Sequence, residues 1–166
     1  YTPIANPQRF IPDWTFGIRD EEMQAIVDEV RENEKPDVVI ILSHNGMDVD
    51  LKMASRVTGV DAIFGGHTHD GVPKPTIVEN AGGKTLVTNA GSNGKFLGVM
   101  DFDVKGGKVR GFRYRLPPVF SNMLDPDPEM AAYIAEVRKP YEDMLNEELS
   151  VPEELLYRRG NFNGTF

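Results

Sequence analysis

One stretch of the sequence, residues 37–69, constrains the fold more than any other. It holds two apolar runs, Val38–Leu42 and Asp61–Phe64, on either side of a segment with a different periodicity. The first run is β-branched except at Leu42, and its length is typical of a strand buried on both faces. The second run is shorter and predicts a second strand.

The segment between the two runs has the pattern of a helix. Its apolar and small residues recur at spacings of three and four, at Leu51, Ala54, Ser55 and Val57. Gly59 is suited to end such a helix. A strand, a helix and a strand in this order predict two parallel strands joined by a right-handed crossover. In open α/β sheets, functional sites form beyond the carboxyl ends of such strands.

The three histidines of the chain, His44, His67 and His69, all follow the predicted ends of these strands. Neighbouring strands lie about 4.8 Å apart, so we expect the imidazoles to converge. In an extended loop, His67 and His69 would lie on the same side. Neutral imidazole is the commonest protein ligand for zinc, manganese and iron. The pattern therefore predicts a metal site, with structural or solvent-exposed histidines as the alternative on spacing alone.

Residues beside the histidines are candidates for supporting roles. Asn45 and Asp70 each follow a histidine directly, and a polar side chain next to a metal ligand commonly fixes the orientation of its ring. Gly65 and Gly66 precede His67 and permit a tight backbone turn there.

The overall composition indicates a globular protein and excludes several classes of function. The sequence has 166 residues, 40% of them hydrophobic, and a net charge of −8. A nucleic-acid partner is not expected, because Lys and Arg form no cluster that would bind phosphates. The absence of cysteine excludes disulfides and thiolate metal sites. No apolar run reaches the length of a membrane span.

The flanking regions predict further elements. Residues 1–17 are expected to form an irregular loop, and a helix is expected from its N-cap at Asp20 to about Glu34, ahead of Pro36. After the histidines, strands with Gly-Gly turns predict an antiparallel β-meander. They are expected at Thr76–Glu79, Thr85–Asn89, Lys95–Val104 and Lys108–Leu116.

A last helix is predicted from an N-cap at Asp127, because Pro128 suits the first helical position. Pro140 is expected to kink or split it, and its apolar face is expected to continue to Leu149. No internal repeat is visible in the sequence.

The motifs of the central stretch resemble a known family. An Asp, a short apolar run and Ser-His, followed later by Gly-His-Thr-His, resemble the C-terminal half of the calcineurin-like metallophosphoesterase domain, in particular its 5′-nucleotidase branch. The strings DWTFG, HDGVPKP and NAGSNGKFLGVMDFDV are similar to the SoxB family of thiosulfohydrolases within that branch. The resemblance covers nearly the whole chain.

This resemblance implies an α/β fold that is part of a four-layer α/β/β/α sandwich. A βαβ unit is followed by an antiparallel β-meander and a C-terminal linker helix. The implied divisions are the C-terminal half of a catalytic domain at 1–120, the linker helix at 121–157 and the start of a substrate-binding domain at 158–166. The chain is then expected to be a fragment, inactive alone, whose catalytic residues lie in an N-terminal part outside it.

The resemblance also implies a cofactor. Two divalent metal ions are expected, manganese or alternatively zinc. By motif position, His44 and His67 resemble ligands of one ion and His69 resembles a ligand of the other. The implied partners are the remainder of its own chain and a SoxYZ-like sulfur-carrier complex, with no nucleic acid and no membrane.

The implied activity is a periplasmic hydrolase of sulfur oxidation. It would release sulfate from a cysteine S-thiosulfonate on the carrier protein through the dinuclear metal site. Two alternatives remain open on the sequence. One is a 5′-nucleotidase or cyclic phosphodiesterase that acts on nucleotides, and the other is a non-catalytic metal-binding module.

Overall fold

A computed structural model describes residues 2–153 of the chain. The chain divides into two compact units after Met123. The predicted start of a further domain at 158–166 lies outside the described residues. Within residues 2–153, no helix is both long and apolar enough to cross a membrane.

The first unit combines helices and strands. Its helices are α1 (Thr2–Ala5), α2 (Asp20–Asn33) and α3 (Met47–Arg56), with a 3-10 turn at Gln8–Phe10. Its strands are β1 (Ile40–Leu42), β2 (Ala62–Gly65), β3 (Thr76–Asn80), β4 (Gly83–Asn89), β5 (Val99–Val104) and β6 (Val109–Arg115). The α/β class is therefore confirmed, although the region predicted as an irregular loop contains α1 and the 3-10 turn.

The main sheet has the strand order β1-β2-β4-β3. β1 pairs in parallel with β2, with Ile41 opposite Ile63, so the predicted βαβ unit is confirmed. β4 also runs parallel to β2, and β3 lies antiparallel along the outer side of β4. Three parallel strands thus end at the same edge of this sheet.

The predicted meander is divided between two sheets. β3 and β4 join the main sheet, whereas β5 and β6 form a two-stranded antiparallel sheet of their own. Antiparallel pairing within each hairpin is confirmed, but one continuous meander is wrong. The reason is burial. β4 is buried from Thr85 to Asn89, as suits an inner strand, whereas the β5–β6 hairpin pairs charged residues such as Asp101 and Arg113 on one face.

The hydrophobic core lies where α2 and α3 cover one face of the main sheet. Its buried members are Val27, Met53, Ala54, Val57, Val60, Ile63 and Val87. The prediction that Val38–Leu42 is buried on both faces is wrong. β1 is an edge strand that starts only at Ile40, and Leu42 is 80% exposed.

The second unit is helical in its described part. It contains α4 (Pro128–Arg138), a 3-10 turn at Lys139–Tyr141 and α5 (Glu142–Leu145). Asp127 is the N-cap, as predicted, and its Oδ1 accepts a hydrogen bond of 2.9 Å from the Met130 amide. Pro140 splits the helix as predicted. The continuation to Leu149 is wrong, because α5 ends at Leu145 with Asn146 as its C-cap.

Candidate metal centre

His44 and His67 meet at the carboxyl ends of two neighbouring parallel strands. His44 lies two residues beyond β1, and His67 lies two residues beyond β2. His44 Nε2 and His67 Nδ1 are 3.4 Å apart. Their rings meet edge to face, with centroids 5.1 Å apart and an interplanar angle of 86°. The predicted convergence of these two imidazoles is confirmed.

The distance between the two ring nitrogens fits a shared metal ion. Zinc–nitrogen bonds of about 2.0–2.1 Å at a tetrahedral angle place two ligand nitrogens about 3.3–3.4 Å apart. The observed separation of 3.4 Å matches that value. The same separation also permits a weak N–H···N hydrogen bond, and the ring that donates depends on the tautomer. The pair therefore offers two imidazole nitrogens at the spacing of two ligands on one tetrahedral ion.

The backbone around Gly66 allows the rings to approach. A Cβ atom at Gly66 would lie 3.0 Å from His44 Nδ1, so a larger residue there would press on the imidazole. His67 follows with a left-handed φ of 68°, and the Thr68 amide donates to the Gly66 carbonyl at 2.9 Å. A non-glycine residue held in this region costs about 1–2 kcal/mol, and such strain clusters at functional sites.

His69 is not brought into a common group with the other two histidines. It is exposed and has a left-handed φ of 59°, so the expectation of an extended loop at His67–His69 is wrong. Within the part of the chain that the structure describes, no three His, Cys, Asp or Glu side chains are grouped closely enough to hold a metal ion. The assignment of His69 to a second ion stays a prediction.

The two predicted supporting residues have other contacts in this structure. Asp70 Oδ2 accepts a hydrogen bond of 2.5 Å from Thr68 Oγ1. Thr68 Oγ1 also accepts from the Met47 amide at 3.2 Å, which ties the histidine loop to the start of α3. The backbone N–H of Asn45 donates to Ser43 Oγ at 3.2 Å. A role for Asn45 or Asp70 in orienting a histidine therefore stays a prediction.

Two buried polar residues near the strand ends, Asp50 and Asn89, are absent from the predicted site. Asp50 is fully buried, and Asn89 is 1% exposed. Burial raises the pKa of Asp50, with the hydrogen bond from Ser43 opposing this and the charge of Asp48 adding to it. The sequence holds one signal for Asp50, because it lies three and four positions before the buried Met53 and Ala54. No comparable signal marks Asn89.

A cavity of about 620 Å³ lies at the other end of the parallel strands and does not include the histidines. It is lined in part by Arg31, Asp61, Lys84 and Phe112. The Arg31 guanidinium donates to the carbonyls of Gly59 and Pro36 and to the Asp61 carboxylate. These contacts give Arg31 a structural role.

Known proteins similar to the chain include nucleotide-hydrolysing enzymes. The trifunctional nucleotide phosphoesterase protein YfkN of Bacillus subtilis is 34% identical in an alignment of 137 residues that covers 81% of this chain and 9% of YfkN. UshA of Yersinia enterocolitica is 28% identical in an alignment of 141 residues that covers 70% of this chain and 26% of UshA. The chain thus spans 9% of YfkN and 26% of UshA. No family model matches it.

Solved structures extend the similarity over most of the chain. The sulfate thiohydrolase SoxB of Thermus thermophilus, in complex with glycerol, superposes with a TM-score of 0.79 at 34% identity. That match covers 96% of this chain and 28% of SoxB. The 5′-nucleotidase precursor of Thermus thermophilus superposes with a TM-score of 0.69 at 26% identity, covering 79% of this chain and 28% of the nucleotidase.

The fold, the histidine pair and these relatives all indicate the same superfamily. The relatives whose names state an activity are hydrolases. The chain belongs to the 5′-nucleotidase/metallophosphoesterase superfamily, in which it corresponds to the C-terminal part of a SoxB-like metallophosphoesterase domain.

Proposed function

We propose that His44 and His67 bind one divalent metal ion of a dinuclear hydrolase and that His69 binds the second. The observation that supports the shared ion is the separation of 3.4 Å between His44 Nε2 and His67 Nδ1, which is the spacing of two imidazole ligands on one tetrahedral ion. The assignment of His69 rests on its position in the Gly-His-Thr-His motif. Manganese is the proposed metal, with zinc as the alternative.

The histidines of this chain would contribute ring nitrogens, with their lone pairs, as metal ligands. Ligation through His44 Nε2 requires the proton of that ring on Nδ1, and ligation through His67 Nδ1 requires its proton on Nε2. His44 and His67 each follow a strand of the main sheet, so the hydrogen-bonded pairing of β1 with β2 holds the backbone next to them in place. Two bound divalent ions would activate a water molecule and neutralise developing charge on the substrate oxygens.

For the substrate, we favour a thiosulfonate over a phosphate ester. The support is the similarity to the sulfate thiohydrolase SoxB, which extends over 96% of the chain at a TM-score of 0.79. The protein would release sulfate from a cysteine S-thiosulfonate on a SoxYZ-like carrier complex in the periplasm. Sulfonate and phosphate groups have similar shape and charge, so the same kind of metal site suits either.

Nucleotide hydrolysis is the second candidate function. It is favoured by the 34% identity to the nucleotide phosphoesterase YfkN and by the superposition on a 5′-nucleotidase. Both candidates use the same histidines, so the substrate must be decided by assay.

The experiment compares the two substrates on the intact protein. Purified protein is loaded with manganese or zinc and supplied with AMP or with a peptide that ends in cysteine S-thiosulfonate. We expect sulfate release from the peptide and no phosphate release from AMP. Hydrolysis of AMP alone would establish the nucleotidase. Failure to hydrolyse either substrate with metal bound would favour the non-catalytic metal-binding module.

The division of roles among the histidines is tested by metal counting. In the intact protein, His69→Ala is expected to empty one metal site while the other stays occupied, and activity is expected to fall by orders of magnitude. His44→Ala is expected to empty the other site. Two ions per protein after His69→Ala would show that His69 is not a ligand.

We also propose that the 166-residue chain is inactive on its own and needs the remainder of its protein. Three neutral imidazoles carry no negative charge to offset two divalent cations. Calorimetry that finds two tightly bound ions on this chain alone would contradict this.

A further inference from the structure

A buried carboxylate lies directly beneath the loop that carries His44. Asp50 is on α3 and is fully buried. Its Oδ1 accepts a hydrogen bond of 2.5 Å from Ser43 Oγ. Ser43 precedes His44, and its hydroxyl also accepts a hydrogen bond of 3.2 Å from the backbone N–H of Asn45. The Ser43 hydroxyl therefore connects Asp50 to the backbone on both sides of His44.

The other oxygen of the same carboxylate lies against the end of β2. A Cβ atom added to Gly65 would collide with Asp50 Oδ2. The carboxylate thus occupies the space that a side chain at Gly65 would need. Gly65 is two residues before His67. Asp50 therefore lies against the residues that precede both histidines, Ser43 and Gly65.

Asn89 bonds to Gly66, the residue between Gly65 and His67. It ends β4, is paired in register with Gly65, and is 1% exposed. Its Nδ2 donates a hydrogen bond of 3.2 Å to the Gly66 carbonyl. Gly66 is the residue whose missing side chain makes room for the His44 ring.

Each of these two residues keeps one buried oxygen unpaired. Within residues 2–153, Asp50 Oδ2 and Asn89 Oδ1 are buried side-chain oxygens without a hydrogen-bond partner. Buried unpaired polar atoms cost free energy and are rare in folded proteins. An apolar residue could fill either position, but it could not bond to Ser43 or to the Gly66 carbonyl.

We propose that Asp50 and Asn89 are positioning residues for the metal centre. Asp50 fixes Ser43 at the end of β1 and Gly65 at the end of β2, and Asn89 fixes Gly66. Together they set the backbone positions of His44 and His67, and therefore the separation of the two ring nitrogens. This inference rests on the proposed metal binding by His44 and His67.

The first test measures metal affinity and histidine geometry in the intact protein. Zinc or manganese binding is measured by calorimetry, and the ring nitrogens of His44 and His67 are followed by NMR in the metal-free state. Asp50→Ala is expected to weaken metal binding about 10- to 100-fold, as for other residues that orient ligands, and to shift both ring signals. The shape-conserving Asp50→Asn is expected to restore most of the affinity, and Asp103→Ala, an exposed carboxylate on β5, to change neither readout.

Separate outcomes distinguish this inference from the proposed function. If the unmodified protein binds no metal, the proposed function fails, while the ring signals still report positioning. If it binds metal and folded Asp50→Ala keeps full affinity and unchanged ring signals, the positioning role is overturned. Ser43→Ala removes only the hydroxyl and covers the case in which Asp50→Ala does not fold. Unchanged ring signals in Ser43→Ala would also overturn the role of Asp50.

The contact with Gly65 gives a second, independent test. Gly65→Ala is expected to weaken metal binding strongly in the unmodified protein, because the new methyl group meets the Asp50 carboxylate. The same substitution in an Asp50→Ala background is expected to do much less harm, because the space is then empty. Equal losses in both backgrounds would overturn the proposed contact.

Discussion

Helices α3 and α4 have nearly the same length, 10 and 11 residues, but opposite means of support. α4 begins with a side-chain cap at Asp127 and Pro128 in its first turn, and none of its residues, all within the described range, is buried. α3 begins at Met47 and its N-cap, Gly46, has no side chain to cap it, yet the helix buries three residues against the sheet. The comparison shows that α4 is specified by local sequence signals and α3 by packing.

The start of α3 is also supported from a distance. The first backbone N–H groups of a helix have no partner within the helix. That of Met47 donates to Thr68 Oγ1 at 3.2 Å. Thr68 lies between His67 and His69. The helix with weak local signals is therefore the one whose first turn is connected to the candidate metal centre.

Two methionines provide the largest expected contrast between the helices. Met53 on α3 is 2% exposed, and Met130 on α4 is 56% exposed. Met53→Ala is expected to lower the free energy of unfolding by about 2–5 kcal/mol through lost burial and a cavity. Met130→Ala, the matched control, is expected to change it by less than about 0.5 kcal/mol. Denaturant unfolding of both variants measures the difference, and equal losses would contradict the comparison.

Thr68 provides the next effect, because its hydroxyl caps α3 and bonds to Asp70. Thr68→Ala is expected to cost about 1–2 kcal/mol of stability, the usual range for a lost helix cap. Thr68→Ser keeps the hydroxyl and serves as the control. Amide exchange at Met47 should accelerate in Thr68→Ala and not in Thr68→Ser, and unchanged exchange in both would show that the cap is unimportant.

The local cap of α4 should have a smaller and confined effect. Asp127→Ala is expected to cost about 1 kcal/mol of helix stability, whereas Asp127→Asn retains a good capping residue. Amide exchange should accelerate in α4 alone, with α3 unchanged. Accelerated exchange in α3 as well would mean that the two helices do not differ as described.

The last effect is a change in pH dependence. Burial raises the pKa of Asp50 above its ordinary value of 3.8, so the folded chain keeps this proton at pH values where the unfolded chain has released it. The contribution of Asp50 to stability is therefore greatest below pH 3.8 and falls as pH rises through its raised pKa. Asp50→Asn should remove this decline.

The pH profile of Asp50→Asn must be compared with that of the unmodified protein. Asp20 contributes the opposite slope in both, because its hydrogen bond to Arg56 lowers its pKa. Denaturant unfolding between pH 3 and pH 7 gives the difference between the two profiles. Parallel profiles would contradict a raised pKa for Asp50.

The features that the sequence predicts well depend on near neighbours in the chain. The start of α4 follows from Asp127 and Pro128, and the βαβ unit follows from periodicity and a rule of connection. That rule brings His44 and His67 to one edge of the sheet.

The features that the sequence does not predict depend on distant partners. The exposure of Leu42 depends on strand order, because β1 is an edge strand. The burial of Asp50 depends on Gly65 and Ser43, and helical spacing alone predicts an apolar residue in such a place. The turn at His67 and His69 depends on left-handed backbone that non-glycine residues seldom adopt. Each of these is settled only by tertiary structure.

The most direct measurement of the central claim is anomalous X-ray diffraction from crystals of the intact protein soaked with zinc. The account predicts one zinc ion bound by both His44 Nε2 and His67 Nδ1, at about 2.0–2.1 Å from each. A zinc ion bound elsewhere, with neither His44 nor His67 among its ligands, would contradict it.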